Sequence, residues 1–278
     1  MSQDLKKSEI SVRQKPGKHG GILDPINAAK HFRLGRYLPS PDLAAFIEHY
    51  WIIHWDLRGQ PPYISEVLPY PSVNIAFTAE QGWITGVTTG KYDYELVGTG
   101  VIFGVMFRPG GFHPFWPHRM DELTDKTKPA TEVFQEAGDV FRKTLLGSTH
   151  DDSDRVHMIE ELLSKHHPTP NPKITFINKI IEAVIKDKSL RSTQALSGQF
   201  KLSERRLQQL FQEYVGVGLK WVIMRYRLQE AAASIATGAH NWTTIAAELN
   251  YSDQAHFARD FKKIIGKTPS EYSKSLQR

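Results

Sequence analysis

Apolar residues follow two different rhythms along this chain. Between residues 32 and 116 they come in short alternating runs, EHYWIIHWDL (48–57), SVNIAF (72–77), GWITGV (82–87), YDYELVG (92–98) and VIFGVMF (101–107), separated by Gly, Pro and polar residues. Alternation sends successive side chains to opposite faces of a strand, so this part predicts a β-rich domain, a small barrel or sandwich of cupin-like type. TEVFQEAGDVFRKTLL (131–146) and DRVHMIEELLSKH (154–166) read as helices flanking it. From residue 174 the period becomes helical: Ile174, Ile177, Ile180, Ile181, Val184 and Ile185 form one apolar stripe. The change falls at HHPTPNPK (166–173), where closely spaced prolines cannot continue a helix. The expected organisation is α+β and multidomain: a flexible arm over 1–30, a sensing or assembly domain over 31–165, a Pro-rich linker over 166–173 and an all-helical domain over 174–278.

The helical region repeats itself at a shift of fifty residues. Ser203 then falls on Asp253, Leu207 on Phe257, Phe211 on Phe261, Gly216 on Gly266 and Thr193 on Thr243. Each unit is a short helix, a tight turn begun by a capping residue, and a second helix, which is the order of a helix-turn-helix. TQALSGQF leads through KLS into ERRLQQLFQEYVG, and WTTIAAELN leads through YSD into QAHFARDFKKIIG. In the first unit Leu207, Leu210, Phe211 and Tyr214 share the core side, leaving Arg205, Gln208, Gln209 and Gln212 opposite. In the second, Phe257 and Phe261 face inward while Gln254, Ala255, Ala258 and Arg259 face away, with His256 beside them. Forked Arg and Gln side chains match guanine and adenine edges in the major groove. The stretch WVIMRYRLQEAAASIA between the units has the composition of a continuous helix, a rigid spacer for two reading helices.

The run IAAELNYSDQAHFARDFKKIIGKTPSEY (245–272) resembles the signature of the AraC family of transcription regulators, and the resemblance covers about Ile174 to Tyr272. It departs at Asn250, where the family has Gly in the turn, and at Leu219, where the first repeat lacks the proline that the second keeps as Pro269. The resemblance implies two reading helices in successive major grooves of double-stranded DNA. Arg205, Gln208 and Gln209 would read bases through the first helix, and Gln254, Ala255, Ala258 and Arg259 through the second, where the alanines offer only methyl contacts. Lys262, Lys263 and Lys267 would meet phosphates. Further upstream, RYLPSPDLAAFIEHYWIIHWDL, LPYPSVNIAF and FGVMFRPGGFHPF resemble the N-terminal domain of one subgroup of that family, a domain of unknown function. In the broader family this position holds a small-molecule sensor or a dimerisation unit, so an effector, a second copy of the chain and, for an activator, RNA polymerase are the further partners implied.

Charge sharpens the division. From residue 170 onward there are 17 Lys and Arg against 9 Asp and Glu, a balance of +8, and before it 18 against 21, a balance of −3. A basic module joined to a slightly acidic one is the footprint of a polyanion-binding unit carried by something else. With no cysteine, disulfides, thiolate metal sites and the nucleophile of the alkyl-transfer DNA repair proteins that bear a similar domain are excluded. No run reaches eighteen apolar residues and the N-terminus lacks the apolar centre of a signal peptide, so a cytoplasmic location without membrane contact is expected.

Enzyme chemistry finds little support. There is no Ser-His-Asp order, phosphate loop or paired-carboxylate motif, so neither catalytic residues nor cofactors are expected. His49 and His54 lie near Trp51 and Trp55, and His113 and His118 bracket PFWP, but five residues along a strand put the first pair on opposite faces and no carboxylate joins them. No metal is expected, and a cupin-like metal enzyme fused to a DNA-binding domain is the alternative to the regulator. Tyr70, Asn74, Trp83 and Arg108 are the candidate lining of a ligand pocket, Arg108 as partner of an acidic ligand. A regulator that works only through partner proteins would instead have a filled N-terminal domain without a cavity.

Overall fold

The structure is a computed structural model that describes residues 21–238, 241–249 and 251–276. Most of the arm expected over 1–30, and the turn at Asn250, lie outside the described residues. Residues 21–30, the described part of that arm, are packed: Ile22 bridges to Val67, Leu23 is buried, and a one-turn helix α1 (Pro25–Ala28) follows.

Eight strands follow in the N-terminal domain: β1 (Phe32–Tyr37), β2 (Ile47–Asp56), β3 (Tyr63–Val67), β4 (Asn74–Phe77), β5 (Gly82–Thr85), β6 (Tyr92–Leu96), β7 (Thr99–Phe107) and β8 (Thr127–Pro129). Six of them form one antiparallel sheet in the order β1-β2-β7-β4-β5-β8, while β3 and β6 pair separately. The alternation seen in the sequence assigns the two faces of the larger sheet. Ile47, Tyr50, Ile52, Ile75, Phe103, Val105 and Phe107 point to one side, where they pack against Phe134, α2 (Asp139–Leu145) and α3 (Asp152–Ser164). On the other side a row crosses the sheet from Arg36 to Trp51, Gly104, Ala76 and Trp83. The β3–β6 pair covers that second face, with Leu96 and Tyr94 packed into the same cluster as Ala76, Ile102, Trp51 and Trp83.

Helix extends over only part of 131–146. Phe134 is drawn into the core against Phe112 and Phe115, and α2 begins afresh after Gly138. Burial of one aromatic, worth about 2 kcal/mol, outweighs the propensity for a continuous helix there. Strands β1, β3 and β8 were not marked by the apolar pattern. Strands β1 and β8 are the edges of the larger sheet, and edges tolerate polar residues because one side stays unpaired.

The C-terminal region is helical: α4 (Pro172–Lys186), α5 (Thr193–Phe200), α6 (Glu204–Tyr214), α7 (Leu219–Ala236), α8 (Trp242–Glu248), α9 (Gln254–Ile265) and α10 (Pro269–Ser275). Helix α4 starts two residues before the expected boundary, because Pro172 occupies its first position and Asn171 caps it through the Lys173 amide. Leu219 and Pro269 both open a helix, so the missing proline of the first repeat does not change its exit. Helix α7 divides its apolar residues: Leu219, Val222 and Ile223 join the core of the first unit, and Leu228, Ala231, Ala232 and Ile235 that of the second.

The N-terminal domain contributes to both of those cores, Val87 to the first and Leu23 and Leu68 to the second. At the middle of α7, Arg225 is fully buried; its Nε donates to the Pro69 carbonyl at 2.7 Å and its guanidinium stacks on Tyr70 and Tyr226. Burial lowers its pKa, and the carbonyl and two ring faces offset part of that desolvation.

Candidate nucleic-acid interface and ligand cavity

Both reading helices begin on a capped turn. The Ser203 hydroxyl accepts from the Arg206 amide and the Asp253 carboxylate from the His256 amide at 2.7 Å, so the side chains that follow leave the first turn in the same direction. The equivalence extends further. The Thr193 hydroxyl donates to Glu204, and Thr243 donates to Gln254 at 3.2 Å, tying each reading helix to the one before it at matching positions. Arg205 and Gln209 are exposed on α6, as are Gln254, Ala255, Arg259, Lys262 and Lys263 on α9.

Four of the expected contacts are engaged or partly covered. Gln208 is half-buried, its amide lying over Gly218 at the joint between α6 and α7. Gln254 is exposed but engaged by Thr243. Lys267, expected at a phosphate, donates to Glu66 of β3 at 2.6 Å, because the turn after α9 brings it against the N-terminal domain. Ala258 is half-buried and leaves little surface for a base. His256 is held beside Asp260 at 3.5 Å and Ser252 at 3.4 Å.

The far ends of the two reading helices rest on the N-terminal domain at repeat-equivalent positions. At the first, Thr124 donates to the Gly216 carbonyl at 2.5 Å and His113 stacks on Tyr214 at 4.4 Å between ring centroids. At the second, Gly266 lies under the Lys91 side chain, and Lys91 donates to the same Glu66 at 2.9 Å. Both glycines have positive φ, +101° and +82°. The N-terminal domain therefore holds the two helices at their C-terminal ends and leaves their first turns open.

The second face of the large sheet and the β3–β6 pair enclose a cavity of about 210 Å3. Tyr70, Asn74 and Trp83 line it, but Arg108 does not: its guanidinium is held by Glu48 at 3.0 Å and the Ala44 carbonyl at 2.7 Å. The lining is mostly apolar and aromatic, with Trp51 and Tyr94 among it. Arg36 and His49 stand at its edge, where it shares residues with a larger cleft of about 610 Å3 against α7. Arg36 went unmarked in the sequence; the signal available was the arginine of FRLGRY (32–37) that falls on the same strand face as the aromatic run of the next strand. His54 lies elsewhere, with Nε2 2.9 Å from Asp152, which also accepts from Tyr37 at 2.6 Å. His113 stacks on Tyr214 and His118 packs against Trp116. Among the described residues no group of three or more His, Asp or Glu side chains could hold a metal ion, and no helix is long and apolar enough to cross a membrane.

Comparison with known proteins finds two separate matches along the chain. A family described as a helix-turn-helix domain matches residues 196–275, and a domain of unknown function (DUF6597) matches residues 35–129. The F1 operon positive regulatory protein of Yersinia pestis is 41% identical over 70 residues, which are 25% of this chain and 23% of that protein. The transcriptional activator RhaR of Yersinia pseudotuberculosis is 31% identical over 72 residues, 26% of this chain and 25% of that protein. The chain thus spans about a quarter of the length of these curated relatives. Among solved structures, fatty acid-bound ToxT of Vibrio cholerae aligns with a TM-score of 0.37 at 12% identity over 87% of this chain and 91% of its own. The C-terminal domain of the response regulator yesN from Fusobacterium nucleatum aligns at 0.32 and 24% identity over 37% of this chain and 99% of its own. The C-terminal region of this chain is an AraC-type helix-turn-helix domain, joined to an N-terminal domain of unknown function.

Proposed function

We propose that this chain is a sequence-specific DNA-binding transcription regulator whose N-terminal domain senses a small molecule and does not catalyse a reaction. The observation that carries the reading is the pair of equivalent reading helices, each with its first turn exposed and its far end held by the N-terminal domain. Arg205 and Gln209 are the base-reading residues of the first helix and Arg259 that of the second, with Ala255 as a methyl contact and Gln254 at the edge of the surface. Lys262 and Lys263 serve the phosphates. Helix α7, with 18 residues, is about 27 Å long. A spacer of this length suits two heads on one side of a duplex, whose grooves recur every 34 Å or so. The path from sensor to reader is short, because on β3 Val67 lines the cavity while its neighbour Glu66 holds Lys267 of the second unit. A ligand that prefers one position of β3 therefore has a direct lever on that unit.

The test is selection of binding sites from random DNA with the full chain, followed by affinity against salt. The expected product is a bipartite site with more information in the half read by α6. With about six phosphates neutralised, the log–log salt slope would be about −5. A pool that enriches no sequence, or a slope near zero, would refute the reading. Metal analysis of the purified protein separates it from the metal-enzyme alternative.

A further inference from the structure

The cavity also indicates what kind of molecule it takes, an inference that rests on the reading of the N-terminal domain as a sensor. Trp51, Trp83 and Tyr94 line it, with Asn74, Ser65, Thr85 and Thr88 as polar groups among mostly apolar surface. Size narrows the choice. A dry protein cavity of about 150 Å3 holds benzene, so 210 Å3 holds one ring with a short substituent.

The edge of the cavity supplies the charge. Arg36 stands on β1 opposite Trp51, is half-buried, and lines both the cavity and the cleft beyond it. The acids of that cleft are engaged elsewhere, Glu48 by Arg108 at 3.0 Å and Glu230 by Lys188 at 2.8 Å and by Arg191. Among the described residues, Arg36 has no acidic partner. Burial lowers its pKa, and an anion at the mouth would relieve that unfavourable desolvation. A guanidinium fork fits a carboxylate in two parallel hydrogen bonds.

We propose that the cavity between the two sheets binds a small monocyclic carboxylate, its ring among Trp51, Trp83 and Tyr94 and its carboxylate on Arg36 at the mouth toward α7. The ligand then touches the β3–β6 pair, which holds the second reading unit, and faces α7, which joins the two units, through Arg36.

Phenylacetate and its neutral isostere phenylacetamide test this on the full chain, by calorimetry and by the tryptophan fluorescence that Trp51 and Trp83 report. Phenylacetate is expected to bind at least tenfold more tightly than the amide. Arg36→Gln should remove most of that difference while leaving the amide affinity within about twofold, and Ala76→Leu, which fills the cavity floor, should weaken both. Equal affinity for acid and amide, failure of both to bind, or phenylacetate binding unchanged by Arg36→Gln would each overturn the proposal. Should either variant fail to fold, the acid–amide comparison on the unaltered protein decides alone. Selection from random DNA is run without ligand, so an enriched operator with no carboxylate binding overturns this inference only, and carboxylate binding with no enriched operator overturns the regulator reading only.

Discussion

Glu66 is the position where the cavity wall and the second helix-turn-helix unit meet, and its replacement by Gln has a calculable consequence. The carboxylate accepts from Lys91 at 2.9 Å and from Lys267 at 2.6 Å, while Lys91 is shared with Asp93 at 2.8 Å. The side chains of Glu66, Lys91 and Lys267 are 24%, 23% and 30% exposed, so the cluster lies between the surface and buried regimes. Exposed pairs contribute about 0.2–1 kcal/mol, and breaking a buried one costs about 3–5. Glu66→Gln keeps one acceptor and is expected to cost about 1.5 kcal/mol, with a coupling to Lys267→Met of about 1 kcal/mol in a double-mutant cycle. The pH dependence supplies an independent check. Burial alone would raise the Glu66 carboxyl, but hydrogen bonds from Lys267 and Lys91 outweigh it and hold the pKa below the usual range. A folded value below the unfolded one gives stability that is present above the unfolded pKa, about 4.3, and is lost as pH falls through the folded value. Thermal unfolding of the full chain should therefore show a gap of several degrees between native and variant at pH 7 that closes in acid below about pH 4. A gap that persists unchanged at pH 3, or a coupling below about 0.3 kcal/mol, would refute the assignment of the cluster as a clasp.

On the reading face, Arg205→Ala or Arg259→Ala should weaken a cognate site by about 1–3 kcal/mol and relax its sequence preference, whereas Lys262→Ala should weaken all sequences alike and reduce the salt slope by about 1. Gln209→Ala should cost more specificity than Gln208→Ala, because Gln208 lies over Gly218; band-shift titrations on the selected site and on scrambled DNA distinguish them. The two equivalent glycines should differ in stability measurements. Both Gly→Ala changes strain a positive φ by about 1 kcal/mol, but a Cβ on Gly216 would stand 2.9 Å from the Met120 carbonyl oxygen, whereas one on Gly266 would meet the flexible Lys91 side chain at 2.6 Å. Gly216→Ala should be the more destabilising, and equal losses would mean that the first unit is not seated on Met120.

The sequence by itself determined the division of the chain, the helical periods and the repeat. These rest on short-range physics: Ser203 and Asp253 cap their own helices, Phe211 and Phe261 recur on one face, and Gly216 and Gly266 close each unit wherever the rest of the chain lies. The central strands β2 and β7 were legible because both are flanked and their alternation is strong, and the edge strands were not. Only the tertiary structure decided which of the outward side chains remain free. Gln208, Gln254 and Lys267 have the chemistry of nucleic-acid contacts, and their partners Gly218, Thr243 and Glu66 lie 10, 11 and 201 residues away. Partners at such separations leave no periodic trace, since a contact is decided by position in space. The same reason hid Arg36: a cation in a strand is unremarkable until folding closes an aromatic cavity behind it and pairs the nearby acids with other cations.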